Sequence, residues 1–413
     1  MTARPRIGTD ERRARLGLRH RLAAGTQVAS VAEAASALVV IHASDSPSVF
    51  LQARARMSTS SPADIERELY EERSVLRMLA MRRTLFLVPV EDVPIVHAAA
   101  SRAVAETERR RTIAMLTEAG VGPDPAGLLH ELEVAGLAAV RERGEATTAE
   151  LRAIDRRLGQ KLTLSRGKSY EATISVGQKV FFHLALDGRI GRGRPLGTWI
   201  ASQFRWSPIE RWLPDGIAEM SVDVARAELV RKWLRVFGPG TRDDIQWWTG
   251  WSLGATRKAL AAIETVEVDL DGGGVGFVLA EDLEPSEAPE PWVALLPALD
   301  ATTMGWTDRD WYLGGYRAAL FDNAGNAGPT IWVDGRIVGG WAQLADGEIA
   351  TYLLEDVGAE TRSTIEDEAA RLAEWIAPTK IPWSFWAQRA GGHASGGGSM
   401  RPAPQTSGPQ KKG

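Results

Sequence analysis

Apolar residues recur every three or four positions along most of the chain, which is the spacing of an amphipathic helix. The clearest stripe lies in residues 361–377, where Ile365, Leu372 and Ile376 fall on one helical face. A chain with so many such stripes is predicted to be dominated by helices. The predicted helices cover residues 10–24, 31–41, 47–57, 62–74, 91–117, 125–142, 147–158, 171–186, 208–214, 222–237, 241–249, 253–262 and 361–377.

Capping boxes mark several of the predicted helix starts. In this motif a Ser or Thr side chain and an acid three residues later satisfy each other's free backbone amides. Ser61 before Pro62 marks a further start, because proline at the first helical position loses no intrahelical hydrogen bond. The predicted boxes are Ser30 with Glu33, Thr147 with Glu150, and Ser363 with Glu366.

Strand patterns occur in short runs that are separated by turn residues, and they become frequent after Pro291. Together with the helices they predict an α+β fold that is dominated by helix. The predicted strands cover residues 76–81, 84–88, 265–270, 275–280, 292–296, 330–333, 337–341 and 348–353, with a basic hairpin through 188–206.

An internal repeat is visible at a constant offset of 94 residues. In both copies a helix ends near a glycine, and a new helix opens on a threonine cap. A second helix and then a hairpin follow. The first copy has Arg141, Gly144, Thr147, Glu150 and Leu151, and the second has Arg235, Gly238, Thr241, Asp244 and Ile245.

The order helix, turn, helix, hairpin is that of a winged helix. A third and looser copy can be read near the N-terminus, so the sequence predicts three tandem winged-helix units and a β-rich C-terminal region. The last residues are rich in Gly, Ser, Pro, Gln and Lys and cannot bury an apolar face. The predicted boundaries are 1–145 for the first unit with a helical extension, 146–220 for the second, 221–290 for the third, 291–389 for the β-rich region and 390–413 for a disordered tail.

The amino-acid composition excludes several kinds of functional site. The chain of 413 residues contains no cysteine, which excludes disulfides, thiolate metal sites, iron–sulfur clusters and cysteine nucleophiles. The six histidines show no metal-binding spacing, so no metal site is predicted. Neither a secretory signal nor a membrane-spanning apolar run is recognisable, so we expect a cytoplasmic protein.

Although the formal net charge is −4, the chain contains several clusters of basic residues. Arg82 and Arg83 lie between two predicted strands, and Arg189, Arg192 and Arg194 lie on a glycine-rich turn. Guanidinium groups on a hairpin suit contacts with DNA phosphates. The alternative is that such clusters are only solvated surface.

Four stretches in this order resemble the AlkZ/YcaQ-type winged-helix DNA glycosylases, and the resemblance runs from about residue 10 to residue 386. Each stretch alone is weakly specific, but the four together are more so. They are Arg82–Pro89 followed by Glu91 and Asp92, Gly238-Pro239-x-Thr241 with Trp247–Gly250, Leu295–Asp300, and Gly325-Asn326-x2-Pro329–Ile331 with Val333–Arg336.

The resemblance implies a monomer of three tandem winged-helix units that is shaped around duplex DNA. Such proteins hydrolyse the N-glycosidic bond of bulky N7-alkylated purines without metal or cofactor, and some unhook interstrand crosslinks. We therefore expect a monofunctional, nucleoid-associated DNA glycosylase whose partner is alkylated duplex DNA. Its activity would give resistance to a DNA-alkylating genotoxin.

The catalytic signature of that family is Gln-x-Gln or Gln-x-Asp, and the equivalent positions here look like His42 and Ser44. Imidazole can orient or deprotonate water near neutral pH, and the hydroxyl of Ser44 can hold it. Asp45 could fix His42 or face the developing sugar cation. With both glutamines replaced, the alternative is a protein that binds DNA as a lesion sensor or regulator without cutting it, and a non-DNA interaction protein is a further one.

The adjacent residues Trp247 and Trp248 allow two interpretations, burial in the core or stacking against DNA bases. Indoles at adjacent helical positions are more often core than a platform for stacked bases. We therefore expect both to be buried.

Overall fold

The computed structural model describes residues 3–164 and 172–381, and the predicted tail of 390–413 lies outside them. Within these ranges the fold is α+β and dominated by helix, as predicted. A π-helical turn extends α4, and another joins α5 to α6. The helices are α1 Thr9–Arg19, α2 Val31–Ser36, α3 Ser46–Arg54, α4 Pro62–Arg67, α5 Val93–Val96, α6 Arg102–Glu118, α7 Pro125–Arg143, α8 Thr148–Arg152, α9 Val176–Leu186, α10 Val222–Phe237, α11 Arg242–Thr249, α12 Leu253–Ala261, α13 Asp310–Leu313, α14 Arg317–Leu320 and α15 Ala359–Ile376.

The strands form small sheets rather than one central sheet. The strands are β1 Arg6–Ile7, β2 Ile41–His42, β3 Val75–Leu79, β4 Leu85–Pro89, β5 Lys161–Leu164, β6 Ala172–Ser175, β7 Ile190–Pro195, β8 Phe204–Pro208, β9 Thr265–Leu270, β10 Val275–Leu279, β11 Val293–Leu296, β12 Thr330–Val333, β13 Arg336–Gln343 and β14 Ile349–Leu353. Three sheets have the strand orders β2-β4-β3, β1-β9-β10 and β11-β12-β13-β14, and two hairpins pair β5 with β6 and β7 with β8.

The helix starts follow the capping chemistry at four positions. Ser30, Ser61, Thr147 and Thr241 each accept a hydrogen bond from the backbone N–H three residues later, and the acid at that position returns one. The box at Ser363 was wrong. Helix α15 begins at Ala359, because Gly358 at φ 78° reverses the chain one turn earlier.

Predicted helix 171–186 was wrong only in its first residues, whereas predicted helix 208–214 was wrong over most of its length. Residues 172–175 form strand β6, which pairs with β5 before α9 begins at Val176. Residues 208–214 hold only a single turn, Ile209–Arg211, because Pro208 ends strand β8 immediately before it. Predicted helix 31–41 stops at Ser36, since the β-branched residues that follow lead into β2.

The 94-residue repeat is confirmed by the backbone. Ala146 exchanges two hydrogen bonds with Trp206, at 2.9 and 2.7 Å, and Gly240 exchanges two with Phe277, at 3.2 and 2.8 Å. Each residue lies just before a capping threonine, and each partner lies on the second strand of the hairpin. The residue before the second helix of each copy is therefore tied to the hairpin of the same copy.

An ion pair repeats the same relationship at the side-chain level. Arg141 pairs with Glu210, and Arg235 pairs with Glu281 at 3.2 Å. Both glutamates lie in short turns directly after their hairpins. The main difference between the copies is the β5–β6 hairpin, which is inserted between α8 and α9 of the first copy.

The core contains several large indoles, and Trp233, Trp332 and Trp341 are almost completely buried. Strand β1 pairs in parallel with β9, so the N-terminus lies beside the hairpin of the second copy. The four-stranded sheet packs on α15, where Ile365, Leu372 and Ile376 are buried as the apolar stripe predicts. No helix in residues 3–164 and 172–381 has the length and apolar content to cross a membrane.

Candidate active site and nucleic-acid interface

The junction between β2 and α3 holds the three residues of the predicted catalytic motif. His42 pairs with Phe86 on β4, which fixes its backbone at the edge of the β2-β4-β3 sheet. Ser44 is exposed in the connection, and Asp45 caps α3. The fold therefore brings His42, Ser44 and Asp45 together in one short turn at the end of a helix.

His42 is partly buried, with its ring edge-on to Phe86 at 5.7 Å between ring centroids. Burial, and to a lesser extent the nearby positive charge of Arg82, together lower the pKa of His42 to about 4. The imidazole is therefore neutral at physiological pH. Its Nδ1 is buried and has no hydrogen-bond partner among the described residues.

Asp45 makes its contacts with α3 and none with the His42 ring among the residues described. One carboxylate oxygen, Oδ2, accepts hydrogen bonds from the backbone N–H of Ser48 at 3.0 Å and from its hydroxyl at 2.6 Å. This is the ordinary role of a helix N-cap. The other oxygen, Oδ1, receives no hydrogen bond from the described part of the chain, so it remains available to a ligand.

Gln52 holds this junction in place, although the sequence analysis did not single it out. Its side chain is completely buried. The amide nitrogen donates to the carbonyl of His42 at 3.0 Å, and the amide oxygen accepts from the N–H of Ala301 at 3.1 Å. No sequence signal was available, because the sequence does not show which backbone groups a buried amide will reach.

The β3–β4 hairpin carries Arg82 towards the same site. Arg82 and Arg83 have φ angles of 55° and 62°, which is the left-handed region that arginine seldom occupies. Both side chains are exposed. A Cβ atom on Gly250 would lie 2.7 Å from Arg82 Cγ, so glycine is needed where this hairpin approaches the end of α11.

Trp247 lies beneath two guanidinium groups. Arg82 lies 4.7 Å and Arg309 lies 5.0 Å from the centroid of its ring. Neither arginine pairs with a carboxylate of the described chain. Trp248 is buried as expected, but Trp247 is only partly buried and forms a cationic, aromatic surface with these arginines.

Arg309 is a site candidate that sequence reasoning missed. It is 5% exposed, and its Nε donates to the carbonyl of Trp306 at 2.9 Å. Burial is the main cause of its lowered pKa, and the positive charges of Arg317 and Arg82 act in the same direction. No sequence signal was available, because 62 residues separate Arg309 from Trp247.

Arg83 differs from its neighbour, because its charge is partly neutralised. It pairs with Glu108 at 3.1 Å, and Arg111 pairs with the same carboxylate at 2.6 Å. Arg83 is thus held against α6, whereas Arg82 is directed to Trp247. The two residues that the sequence placed together have different surroundings.

The structure separates the three arginines of the predicted basic wing. Arg189 is exposed just before β7. The guanidinium of Arg192 lies 4.1 Å from the centroid of the Phe204 ring. Arg194 pairs with Glu71 at 2.9 Å and with Glu66 at 3.4 Å. The three side chains therefore do not share one free surface, and their contact with DNA stays a prediction.

No group of three or more His, Asp or Glu side chains that could hold a metal occurs within residues 3–164 and 172–381. The prediction that the protein needs neither metal nor cofactor stays a prediction.

Comparisons with known proteins give three findings. The sequence profile of a family described as DNA glycosylase AlkZ-like matches residues 35–375. An interstrand DNA cross-link repair glycosylase from Streptomyces sahachiroi is 28% identical over 171 residues, which are 39% of this chain and 45% of that protein. The match thus spans less than half of the curated relative.

The third finding is structural. The chain resembles the solved structure of Streptomyces sahachiroi DNA glycosylase AlkZ with a TM-score of 0.71 and 21% sequence identity. The likeness covers 91% of this chain and 99% of that structure. At this level of identity it shows the fold.

Proposed function

Because the chain belongs to the AlkZ-like DNA glycosylase family, we propose that it is a monofunctional DNA glycosylase acting on bulky N7-alkylated purines in duplex DNA. The observation that carries the proposal is the family match over residues 35–375, which includes the β2–α3 junction. The proposed partner is the alkylated duplex, bound by a monomer at the nucleoid.

The proposed reaction breaks the bond between the sugar C1′ and the purine N9. An N7-alkylated purine already carries positive charge, so it departs as a neutral base while positive charge develops on the sugar. Water then adds to C1′ and loses a proton. The protein must therefore place one water and stabilise a cation, and a modest catalyst is sufficient.

His42 is proposed to orient that water. A neutral imidazole nitrogen accepts a hydrogen bond, and the lowered pKa of about 4 keeps His42 neutral throughout the physiological range. The same low pKa makes it a weak proton acceptor. Orientation is thus its main role, with proton transfer occurring late, once the water is bonding to the sugar cation.

Ser44 and Asp45 complete the proposed catalytic group. The exposed hydroxyl of Ser44 can donate to and accept from the same water. Asp45 keeps Oδ1 free of hydrogen bonds from described residues while Oδ2 caps α3. A carboxylate held in this way can face the sugar cation without leaving the helix cap.

Arg82 is proposed to bind the DNA backbone beside the lesion. It is exposed, lies on Trp247 and has no carboxylate partner in the described chain, so its charge is available to a phosphate. Arg83 and Arg189 are proposed as further phosphate contacts. Such contacts position the duplex without reading its sequence.

The proposal is tested by incubating the protein with a duplex that contains one N7-alkylguanine, followed by mass analysis of the released base. Release faster than spontaneous depurination is expected. Parallel duplexes with small adducts, bulky adducts and an interstrand crosslink define the substrate range. Tight binding with no release from any of them would contradict the proposal and favour a lesion sensor.

A further inference from the structure

A cavity of about 530 Å³ lies between α8, α9 and the β7–β8 hairpin. Its volume falls in the usual range for small-molecule pockets. The lining includes Phe181, Phe182, Phe204 and Trp206. One side of the cavity is thus an aromatic wall, which suits a planar ring.

Two arginines line the same cavity, and a third adjoins it. Arg152 and Arg192 contribute to the lining. Arg77 lies two residues before the lining residue Leu79, on the same side of β3. None of the three arginines forms an ion pair or a side-chain hydrogen bond with the described residues.

The unpartnered nitrogens are buried. Nε and Nη2 of Arg77 and Nε of Arg152 have no hydrogen-bond partner in the part of the chain that the structure describes. Arg77 is 7% exposed. Guanidinium stays charged in proteins, and a buried charge without a counter-ion is costly. These groups therefore point to an anion that completes the site.

Arg192 supports this view. Burial, and to a lesser extent the positive charge of Arg77, together lower the pKa of Arg192 to about 10. Glu66 and Glu71 both pair with Arg194, at 3.4 and 2.9 Å, and neither pairs with Arg77 or Arg192. Arg77 and Arg192 are thus two cations in proximity without a carboxylate of their own.

The cavity also has hydrogen-bonding groups that the fold leaves free. Gln178 is used by the helix cap of α9, and the hydroxyl of Thr148 accepts from the indole N–H of Trp206. Ser202 and Gln203 also line the cavity, and their side chains make no hydrogen bond within residues 3–164 and 172–381. Such groups suit the polar edge of a base.

We propose that this cavity binds a nucleotide unit, with its base against the aromatic wall and its phosphate against Arg152 and Arg192. Aromatic faces, cations and free polar groups together match the three parts of a nucleotide. Neither an inorganic anion nor an uncharged ring alone would use all of them.

The loop between β7 and β8 connects this cavity to the proposed catalytic junction. Leu196, Ser202 and Gln203 of the loop line the cavity. In the same loop the carbonyl of Ala201 accepts a hydrogen bond from Ser46 at 3.1 Å. A nucleotide in the cavity would thus lie one loop away from the catalytic motif. The inference that the nucleotide belongs to DNA rests on the proposed function. The inference that the cavity suits a nucleotide does not depend on it.

The first test is calorimetric titration of the full chain with dGMP, deoxyguanosine and inorganic phosphate. We expect dGMP to bind more tightly than either of the other two. Arg192→Gln should weaken dGMP binding at least about tenfold, because a charged hydrogen bond is lost. Phe204→Leu should weaken both dGMP and deoxyguanosine. Arg192→Lys should restore only part of the affinity, since lysine keeps the charge but not the planar group.

The matched control is Arg156→Gln, which removes an equal charge from an exposed position in the same part of the chain. It should bind dGMP as the wild type does, and circular dichroism should show that every variant is folded. Absence of dGMP binding, equal loss in Arg156→Gln, or equal binding of phosphate alone would overturn the proposal.

A second arm separates the two sources of the nucleotide. The protein is titrated with a duplex that carries one unpaired nucleotide and with a fully paired duplex. If DNA is the source, Arg192→Gln weakens binding of the first duplex selectively, and dGMP competes with it. If only free dGMP binding responds to the substitution, the source is the mononucleotide. These readouts need no base release, so they stand or fall separately from the glycosylase proposal.

Discussion

The two ends of α3 place charged and titratable groups in opposite surroundings. Beyond its C-terminal end, Arg56 and Asp300 are completely buried and form two hydrogen bonds, at 2.8 and 3.0 Å. At its N-terminal end, His42 and Asp45 are partly exposed and keep Nδ1 and Oδ1 without partners in the described chain. The carboxylate at the C-terminal end is thus satisfied internally, whereas the carboxylate at the N-terminal end keeps one oxygen open to a ligand.

The comparison also distinguishes residues that match the family pattern from residues that depart from it. Asp300 belongs to the stretch Leu295–Asp300 that resembles the family, and its role is to anchor α3. His42 and Ser44 occupy the positions where the family's glutamines are absent. Asp300, a matching residue, thus maintains the scaffold, whereas the departing residues His42 and Ser44 are the ones proposed to face the substrate. A resemblance that rests on residues such as Asp300, which hold the fold together, predicts the fold more firmly than it predicts the chemistry.

The largest expected effect is at the open end. His42→Ala should slow single-turnover base release by about 10²–10⁴-fold, the usual contribution of a positioned acid–base group, without lowering the melting temperature. Affinity for the damaged duplex should stay nearly unchanged. The matched control is His130→Ala, which removes an exposed histidine from α7. Release at the wild-type rate by His42→Ala would move catalysis elsewhere, with Asp45 as the next candidate.

The second prediction concerns the satisfied end. Asp300→Ala leaves Arg56 buried without its carboxylate, and it should reduce the free energy of unfolding by about 3–5 kcal/mol. Chemical denaturation measures this loss, and Asp215→Ala, at an exposed position, serves as the control. A loss below about 1 kcal/mol would show that the buried pair does not anchor α3.

A smaller effect is expected for the hydroxyl of the motif. Ser44→Ala should slow base release by about tenfold, since one hydrogen bond to the water is lost. The exposed position predicts no change in melting temperature. Single-turnover kinetics at saturating protein measure the effect. A slowing larger than that of His42→Ala would reverse the roles proposed for the two residues.

The smallest effect is expected for Arg82→Gln. If Arg82 contacts one phosphate, the slope of log affinity against log salt for duplex should become shallower by about 0.9. Loss of the charge should also raise the pKa of His42 from its value of about 4, because Arg82 is one cause of the lowering. The salt titration is run beside Arg156→Gln. Equal slopes in wild type and Arg82→Gln would remove Arg82 from the interface.

The sequence predicted much of the fold because local chemistry fixes many helix starts. The box at Thr241 works because the chain before it is extended, with ψ 162° at the cap residue. The box at Ser363 failed because Gly358 turns the chain earlier, and a pattern of Ser and Glu inside a helix looks the same in the sequence. Strand β6 was missed for a similar reason, since its pairing with β5 is a tertiary contact.

The candidate site was predicted only where its residues are neighbours in the chain. His42, Ser44 and Asp45 lie within four residues, and the resemblance drew attention to them. Arg309 on Trp247, and Arg77 beside Arg192, are brought together by folding from distant segments. No periodicity relates such pairs. The shared surface of Arg189, Arg192 and Arg194 was inferred from proximity in sequence, but each side chain has different neighbours.

The most direct test of the account is the single-turnover release of N7-alkylguanine by the wild-type protein, followed from pH 5 to pH 8.5 and corrected for spontaneous depurination. In the proposed mechanism the active form is neutral His42, whose pKa of about 4 lies below this range. The predicted rate is therefore above the spontaneous rate and nearly constant from pH 6 to pH 8, and it falls only as the pH approaches the pKa. Absence of release, or a rate that rises with a midpoint near pH 6.5, would contradict the account.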